Sequence, residues 1–231
     1  MAPPEQPRRP TVVCFVRHGT TPTTGKVLPG RARGLHLAES GQAEAARAGE
    51  QLAAVGAVAL YTSPLERTRE TAAVIGRRIG LRPSVERGLL ECDFGDWTGA
   101  ALAELAKKPE WVTVQRYPSG FRFPGGESFA EMRARLAGAV ARMVERHPGE
   151  VVVAVSHADP IKVALGDALG QPLDLVQRIM VAPCSVSVVA YGPEGPAVLV
   201  TGATGDLRPL IPVPPPAAEN GAAERTPGAG R

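Results

Sequence analysis

The chain has 231 residues, 44% hydrophobic and 21% charged, with a formal net charge of +3. That balance describes a globular protein able to bury a full core, and the absence of a long Lys/Arg run excludes the electrostatic footprint of a nucleic-acid or membrane-surface binder. Three well-separated cysteines, Cys14, Cys92 and Cys184, exclude a disulfide framework and point to a reducing, cytoplasmic setting, and no stretch is long and apolar enough to span a bilayer.

Residues 1–10 and 212–231 are rich in Pro, Ala, Gly and Glu and are expected to be disordered tails around one domain, 11–211. The run Thr11-Val12-Val13-Cys14-Phe15-Val16 reads as a buried strand, uncharged and rich in β-branched residues. It delivers Arg17-His18-Gly19 at its C-terminal end. A loop to Leu37 leads to an Ala-rich helix over 39–55, stopped by Gly56. Ala57–Tyr61 is a second buried strand. Ser63, Pro64 and Glu66 predict an N-cap, a first helical position and a capping box for a helix running to Ile79.

Pro83–Glu86 reads as a weak strand. Residues 89–127 look irregular, with a short helix near 100–108 broken by Pro109. Trp97, Trp111, Tyr117, Phe121 and Phe123 concentrate there, and an aromatic-rich loop of that length reads as a lid, about 92–127, over a site. Ser128 and Glu131 predict a second capping box, opening a helix to Arg146. Glu150–Val155 is the clearest strand and ends in Ser156-His157. Asp159-Pro160 starts another helix, ended by Gly170, and 184–191 with 196–201 predict a hairpin or edge strands. The βαβα rhythm predicts an α/β fold with a mostly parallel sheet.

In such a sheet three strand ends share one edge. They bring Arg17 and His18, Ser63 and Arg67, and Ser156 and His157 together. Two guanidinium groups and two imidazoles around one point suit a phosphate dianion, because Arg matches its oxygens bidentately. His18 is then the nucleophile, with Arg17, Arg67 and His157 on the equatorial oxygens. The leaving alkoxide needs a proton, and Glu91, Asp93 and Asp96 are the candidates. No cysteine is followed six residues later by Arg, which removes cysteine phosphatases, and no His/Cys/Asp cluster has metal-ligand spacing.

These residues resemble the histidine phosphatase superfamily, in its phosphoglycerate-mutase-like branch, over about residues 11–205. The resemblance rests on Arg17-His18-Gly19, Ser63-Pro64-Leu65-Glu66-Arg67-Thr68, Glu91 with Gly95-Asp96-Trp97-Thr98-Gly99, Phe123-Pro124-Gly125-Gly126-Glu127-Ser128 and Ser156-His157. The runs Val27–Arg31 and Leu173–Ile179 are similar to a subgroup called probable phosphomutases. The resemblance implies a three-layer α/β/α sandwich with a small lid insertion, no metal and no cofactor. It implies His18 as nucleophile, Arg17, Arg67 and His157 as the phosphate pocket and Glu91 as proton donor. Thr21, Thr24, Gly30, Ser63 and Ala158 are the further substrate-binding positions.

Two departures stand out. Thr20 and Thr24 occupy positions where the family pattern has Glu and Asn, and Ala158 replaces the usual Gly after the second His. The function these features imply is hydrolysis of a small phosphorylated metabolite through a phosphohistidine. The alternatives are a phosphomutase and a weakly active member that binds a phosphorylated ligand. Arg31, Arg33, Trp97, Trp111, Arg116, Arg122 and Glu127 are candidates for the outer pocket, and a homodimer through an edge strand is the candidate assembly.

Overall fold

The computed structural model describes residues 9–205, 207, 208 and 211. The tails at 1–8 and 212–231 lie outside the described residues.

Four strands run parallel: β1 (Thr11–Arg17), β2 (Ala57–Thr62), β3 (Pro83–Val85) and β4 (Val151–Ser156). Two more, β5 (Val186–Gly192) and β6 (Gly195–Ala203), form a hairpin. The sheet order is β3-β2-β4-β1-β5-β6, with β5 antiparallel to β1. β1 and β4 are therefore central. Their runs of Val, Cys, Phe and Ala are buried on both faces, which is why they read as continuous apolar segments.

Helices cover both faces. On one, α1 (Glu39–Leu52) and α2 (Glu66–Ile79) contribute Ala45, Leu52, Ala72 and Ile75, which pack on Val12, Cys14, Val153 and Val155. On the other, α5 (Phe129–Arg146) and α6 (Ala158–Ala168) contribute Met132, Leu136, Ile161 and Leu165, which pack on Val13, Phe15, Val152 and Ala154. The alternation of strand residues between the two clusters follows the period-2 pleat. This is the expected three-layer α/β/α sandwich.

Several local expectations change. α1 stops at Leu52 rather than 55, because its last turn tightens: Ala53 N–H donates to the Glu50 carbonyl and Val55 N–H to the Leu52 carbonyl. The helix after β2 begins at Glu66 with Leu65 at its cap, and the Ser63–Glu66 capping box does not form. Ser63 is taken instead by a histidine described below. The Ser128–Glu131 capping box forms as expected. Pro109 does not end a helix but opens one: α3 (Leu102–Leu105) is a single turn, and α4 (Pro109–Arg116) follows with Pro109 in its first turn. A 3-10 helix at Leu173–Arg178 was not expected from the sequence.

Segment 92–127 is held by its aromatics. Phe123 contacts Phe94, Trp97, Phe121 and Phe129 with ring centroids 4.8–5.8 Å apart. The cluster joins this segment to α5 and sets it beside the C-terminal ends of β1 and β4.

Candidate active site

The parallel register puts Arg17 opposite Ser156, so β1 and β4 end side by side. His18 N–H donates to the Ser156 carbonyl at 2.9 Å, and Gly19 N–H donates to Thr71 Oγ1 at 3.1 Å. The loop is pressed against the start of α1. A Cβ on Gly19 would lie 2.6 Å from the Gly41 carbonyl oxygen, and one on Gly41 would lie 2.2 Å from that of Thr20. Only glycine permits that approach at both positions.

His18 is buried, with its Nδ1 2.8 Å from the Gly19 carbonyl oxygen. A carbonyl only accepts, so Nδ1 carries the proton and Nε2 is an unprotonated lone pair. Burial pushes this imidazole down to about 3, and the Arg67 and Arg17 charges act in the same direction. The ring is neutral at physiological pH.

Arg67, at the start of α2, is completely buried. Its Nη2 donates to the Gly30 carbonyl at 2.8 Å and to His157 Nδ1 at 3.1 Å. A guanidinium has no acceptor, so His157 must carry its proton on Nε2, which donates to Ser63 Oγ at 2.8 Å. Burial, then the Arg67 and His18 neighbours, hold His157 well below the usual imidazole range. The two imidazoles meet edge-on, centroids 5.3 Å apart.

Arg17 Nη1 donates to the Val181 carbonyl at 2.7 Å. Arg17 Nε, Arg67 Nε and Arg67 Nη1 are buried and have no hydrogen-bond partner among the described residues. Buried guanidinium nitrogens without partners are costly unless an anion completes them.

A cavity of about 330 Å³ opens here, lined by Arg17, His18, Thr21, Thr24, Glu91 and Ala158 among others. Gly30, Ser63, Arg67 and His157 are not among the lining residues. Gly30 offers its carbonyl to Arg67 rather than a donor to the cavity, and Ser63 receives His157. Thr24 Oγ1 accepts the Thr21 N–H at 2.9 Å and lies 3.0 Å from Thr21 Oγ1, so it closes the loop on itself. Thr20 binds Glu44 of α1 through both its N–H and its hydroxyl, at 2.8 and 2.9 Å.

Glu91 follows the 3-10 turn Arg87–Leu89 and is buried. Burial raises its carboxyl to about 7, and Asp159 adds to the rise; Arg67, the Cys92 N–H and Arg17 oppose it. Its backbone is clamped. Arg31 Nε and Arg135 Nη2 both donate to the Glu91 carbonyl, at 3.0 and 2.9 Å. Glu127 bridges these two arginines and also accepts the Asp93 N–H at 3.0 Å. The rival acids are engaged or remote: Asp93 is paired with Arg31 and the Gly95 N–H, and Asp96 is exposed.

The expected outer-pocket residues fare less well. Trp111 lines the cavity; Arg31, Arg33, Trp97, Arg116, Arg122 and Glu127 do not. Arg31 and Glu127 belong to the clamp, Trp97 is buried among aromatics, and Arg122 is paired with Glu131. What the sequence reading missed is a polar outer wall of Asp159, Lys162, Gln177 and Gln115. The available signal was a single lysine inside the apolar run Ile161-Lys162-Val163-Ala164-Leu165.

An α/β sandwich that sets a neutral imidazole and an under-bonded arginine on one cavity, with a second under-bonded arginine buried beside them, belongs to the class of proteins suited to handling a phosphoryl group. A sequence model of the histidine phosphatase superfamily (branch 1) matches residues 13–204, and the chain belongs to that family. It is 31% identical over 207 residues to a bifunctional protein of Mycobacterium tuberculosis, covering 86% of this chain and 55% of the relative. The chain thus spans about half the length of the first curated relatives it matches. It is 30% identical over 182 residues to a probable phosphoglycerate mutase of Cronobacter sakazakii, covering 78% of this chain and 84% of that protein. The solved structure of a mycobacterial glucosyl-3-phosphoglycerate phosphatase superposes with a TM-score of 0.76 at 26% identity, covering 84% of this chain and 100% of the other.

Proposed function

We propose that this chain is a phosphatase that hydrolyses a small phosphomonoester through a phosphohistidine on His18, without a metal ion. One observation carries the reading: His18, with Nε2 unprotonated, feels the charges of Arg67 and Arg17, whose buried Nε atoms and Arg67 Nη1 have no hydrogen-bond partner among the described residues.

The steps balance with the groups at hand. His18 Nε2 attacks phosphorus in line, and the P–O bond to the leaving group breaks. Arg17 and Arg67 hold the equatorial oxygens, where charge must be stabilised. Ser63, polarised by the His157 Nε2–H, offers its own hydroxyl hydrogen to the phosphoryl group. Glu91, kept protonated near neutrality by burial, gives its proton to the departing alkoxide. Water then attacks the phosphohistidine, Glu91 takes back a proton, and inorganic phosphate leaves with His18 neutral again. The segment 92–127 covers the cavity during these steps, and Phe94, Trp111 and Phe123 face it.

The two guanidiniums supply the charge that a metal would otherwise bring. The three cysteines are buried free thiols, and no described helix is long and apolar enough to cross a membrane, which together favour a reducing cytoplasmic setting.

The test is phosphate release from an aryl phosphate and a panel of phosphorylated metabolites, beside His18→Ala. Release abolished in the variant, and a chelator without effect on the wild type, support the reading. Isomer interconversion without release points to a mutase, and binding without turnover overturns both enzyme readings.

A further inference from the structure

Beyond the phosphoryl subsite the cavity has a second, chemically distinct wall. Asp159 and Lys162 lie three residues apart in the first turns of α6, just after Ala158. Their side chains are each only 17% exposed, and Lys162 Nζ is 3.4 Å from Asp159 Oδ1. Lys162 also donates to Gln177 Oε1 at 2.9 Å, which ties α6 to the 3-10 helix Leu173–Arg178. Gln115 and Trp111 of α4 complete this wall. The reaction as drawn gives these side chains no contact with the substrate, although the Asp159 charge adds to the raised Glu91 carboxyl.

Their charges matter. Arg17 and Arg67 answer the phosphate dianion, with Glu91 entering as a neutral acid. Outside that subsite one carboxylate and one ammonium cancel. A half-buried pair of this kind tolerates no uncompensated third charge, since the low local dielectric strengthens repulsion as much as attraction. With the two charges 3.4 Å apart, a carboxylate on the leaving group meets Asp159 as well as Lys162, and an ammonium meets Lys162 as well as Asp159, so neither gains a net attraction. The long 3.4 Å contact leaves both groups hydrogen-bonding capacity: an ammonium has three N–H donors, a carboxylate about four lone pairs. Gln115 and Gln177 each offer both a donor and an acceptor. Donors and acceptors mixed at zero net charge, beside the Trp111 indole, are complementary to hydroxyl groups.

We propose that the Asp159–Lys162 pair, with Gln115 and Gln177, selects phosphomonoesters whose organic part is uncharged and hydroxyl-bearing, of the polyol or sugar class. This rests on the phosphatase reading above and names the substrate class of the same site.

Four small phosphomonoesters separate the possibilities: glycerol 1-phosphate, 3-phosphoglycerate, phosphoethanolamine and O-phosphoserine. Their organic parts are neutral, anionic, cationic and zwitterionic. kcat/KM is measured on each for the wild type, Asp159→Asn and Lys162→Met, with an aryl phosphate alongside. The wild type should favour glycerol 1-phosphate at least tenfold over the other three. Asp159→Asn should move the ratio tenfold or more toward 3-phosphoglycerate, and Lys162→Met should move it as far toward phosphoethanolamine. Using ratios within each variant cancels any change in the common chemistry. A charged or zwitterionic substrate preferred by the wild type overturns the proposal, as do ratios that neither variant moves. The aryl phosphate tells the two failures apart. Turnover of it with the wrong selectivity sinks only the substrate class, whereas no turnover at all removes the phosphatase reading and the inference with it.

Discussion

Arg67 Nη2 donates to His157 Nδ1 at 3.1 Å, and this one bond fixes which nitrogen of His157 carries the proton. The consequence passes along a chain: the His157 Nε2–H polarises Ser63, and Arg67 is held with Nε and Nη1 left for an anion. On the proposed mechanism, His157 acts on the phosphoryl group mainly through its two neighbours.

That order predicts unequal losses. His157→Ala frees Arg67 and Ser63 together and should lower kcat/KM on an aryl phosphate by roughly 10²–10³, the scale of a lost transition-state donor. Ser63→Ala removes only the last member and should cost about tenfold, near the 1.4 kcal/mol typical of one hydrogen bond. Steady-state kinetics on the two variants decides it. Ser63→Ala as damaging as His157→Ala would mean that the serine, and not the histidine, is the principal contact.

Glu91 gives a prediction in pH. Its carboxyl is raised to about 7, so the acid form needed to protonate a leaving group is lost as pH rises through that value. For an alkyl phosphate, kcat/KM should fall about tenfold per pH unit above neutrality. Glu91→Gln should slow alkyl substrates by roughly 10²–10⁴ and flatten that limb, while aryl substrates, whose leaving groups need little protonation, lose far less. Equal slowing of both would transfer the role to Asp93 or Asp96.

How Glu91 is held leads to a third expectation. Glu127 neutralises Arg31 and Arg135, and both arginines grip the Glu91 carbonyl. Glu127→Gln keeps the shape and removes the charge. Stability should drop by about 1–3 kcal/mol, the usual penalty for hydrogen-bonding groups left poorly satisfied. A purely structural role would lower alkyl and aryl turnover alike. A positioning role should lower alkyl turnover at least tenfold more than aryl turnover, and should shift the alkaline limb.

Most of this geometry was legible in the sequence because it follows from strand ends. Uninterrupted apolar runs at Thr11–Val16 and Val151–Val155 identify buried parallel strands, and parallel strands put Arg17, His18 and His157 on one edge. Long-range side-chain choices were not legible. Ser63 carries every local mark of an N-cap, yet a hydrogen bond from His157, 94 residues away in sequence, claims its hydroxyl. Pro109 looks like a breaker and is a starter, because only the chain direction after Lys108 distinguishes the two. Arg31 and Glu127 look like pocket residues by type, but their mutual pairing is a tertiary fact with no periodic signal.

Thr24 stands where the family pattern has Asn, and its hydroxyl is occupied with the Thr21 N–H. Thr24→Asn keeps an acceptor for that N–H and adds an amide that can donate into the cavity. Inhibition by inorganic phosphate should tighten by about three- to tenfold, one modest hydrogen bond, with little change in the alkyl-to-aryl ratio. An unchanged or weaker inhibition constant would show that the Thr21–Thr24 loop closure matters more than an added donor.

Burial of neutral imidazoles also makes stability depend on pH, with a sign that can be worked out. His18 is lowered from 6.5 to about 3 in the folded protein. Between those values the unfolded chain binds a proton that the folded site refuses. Its contribution to stability is complete above pH 6.5 and is lost on acidification toward 3, at about 1.4 kcal/mol per pH unit for one proton. His157 acts in the same direction. Glu91, raised from 4.5 to about 7, acts oppositely: it favours the folded state at low pH and loses that effect as pH rises through 7. Comparing wild type with His18→Asn isolates the first of these. Urea unfolding at pH 4, 5 and 6 should give a wild-type curve that falls more steeply toward acid than the variant's, by about one proton's slope. Parallel curves would mean that His18 binds a proton as readily in the folded protein as in the unfolded chain, and that burial does not hold it neutral below its ordinary range.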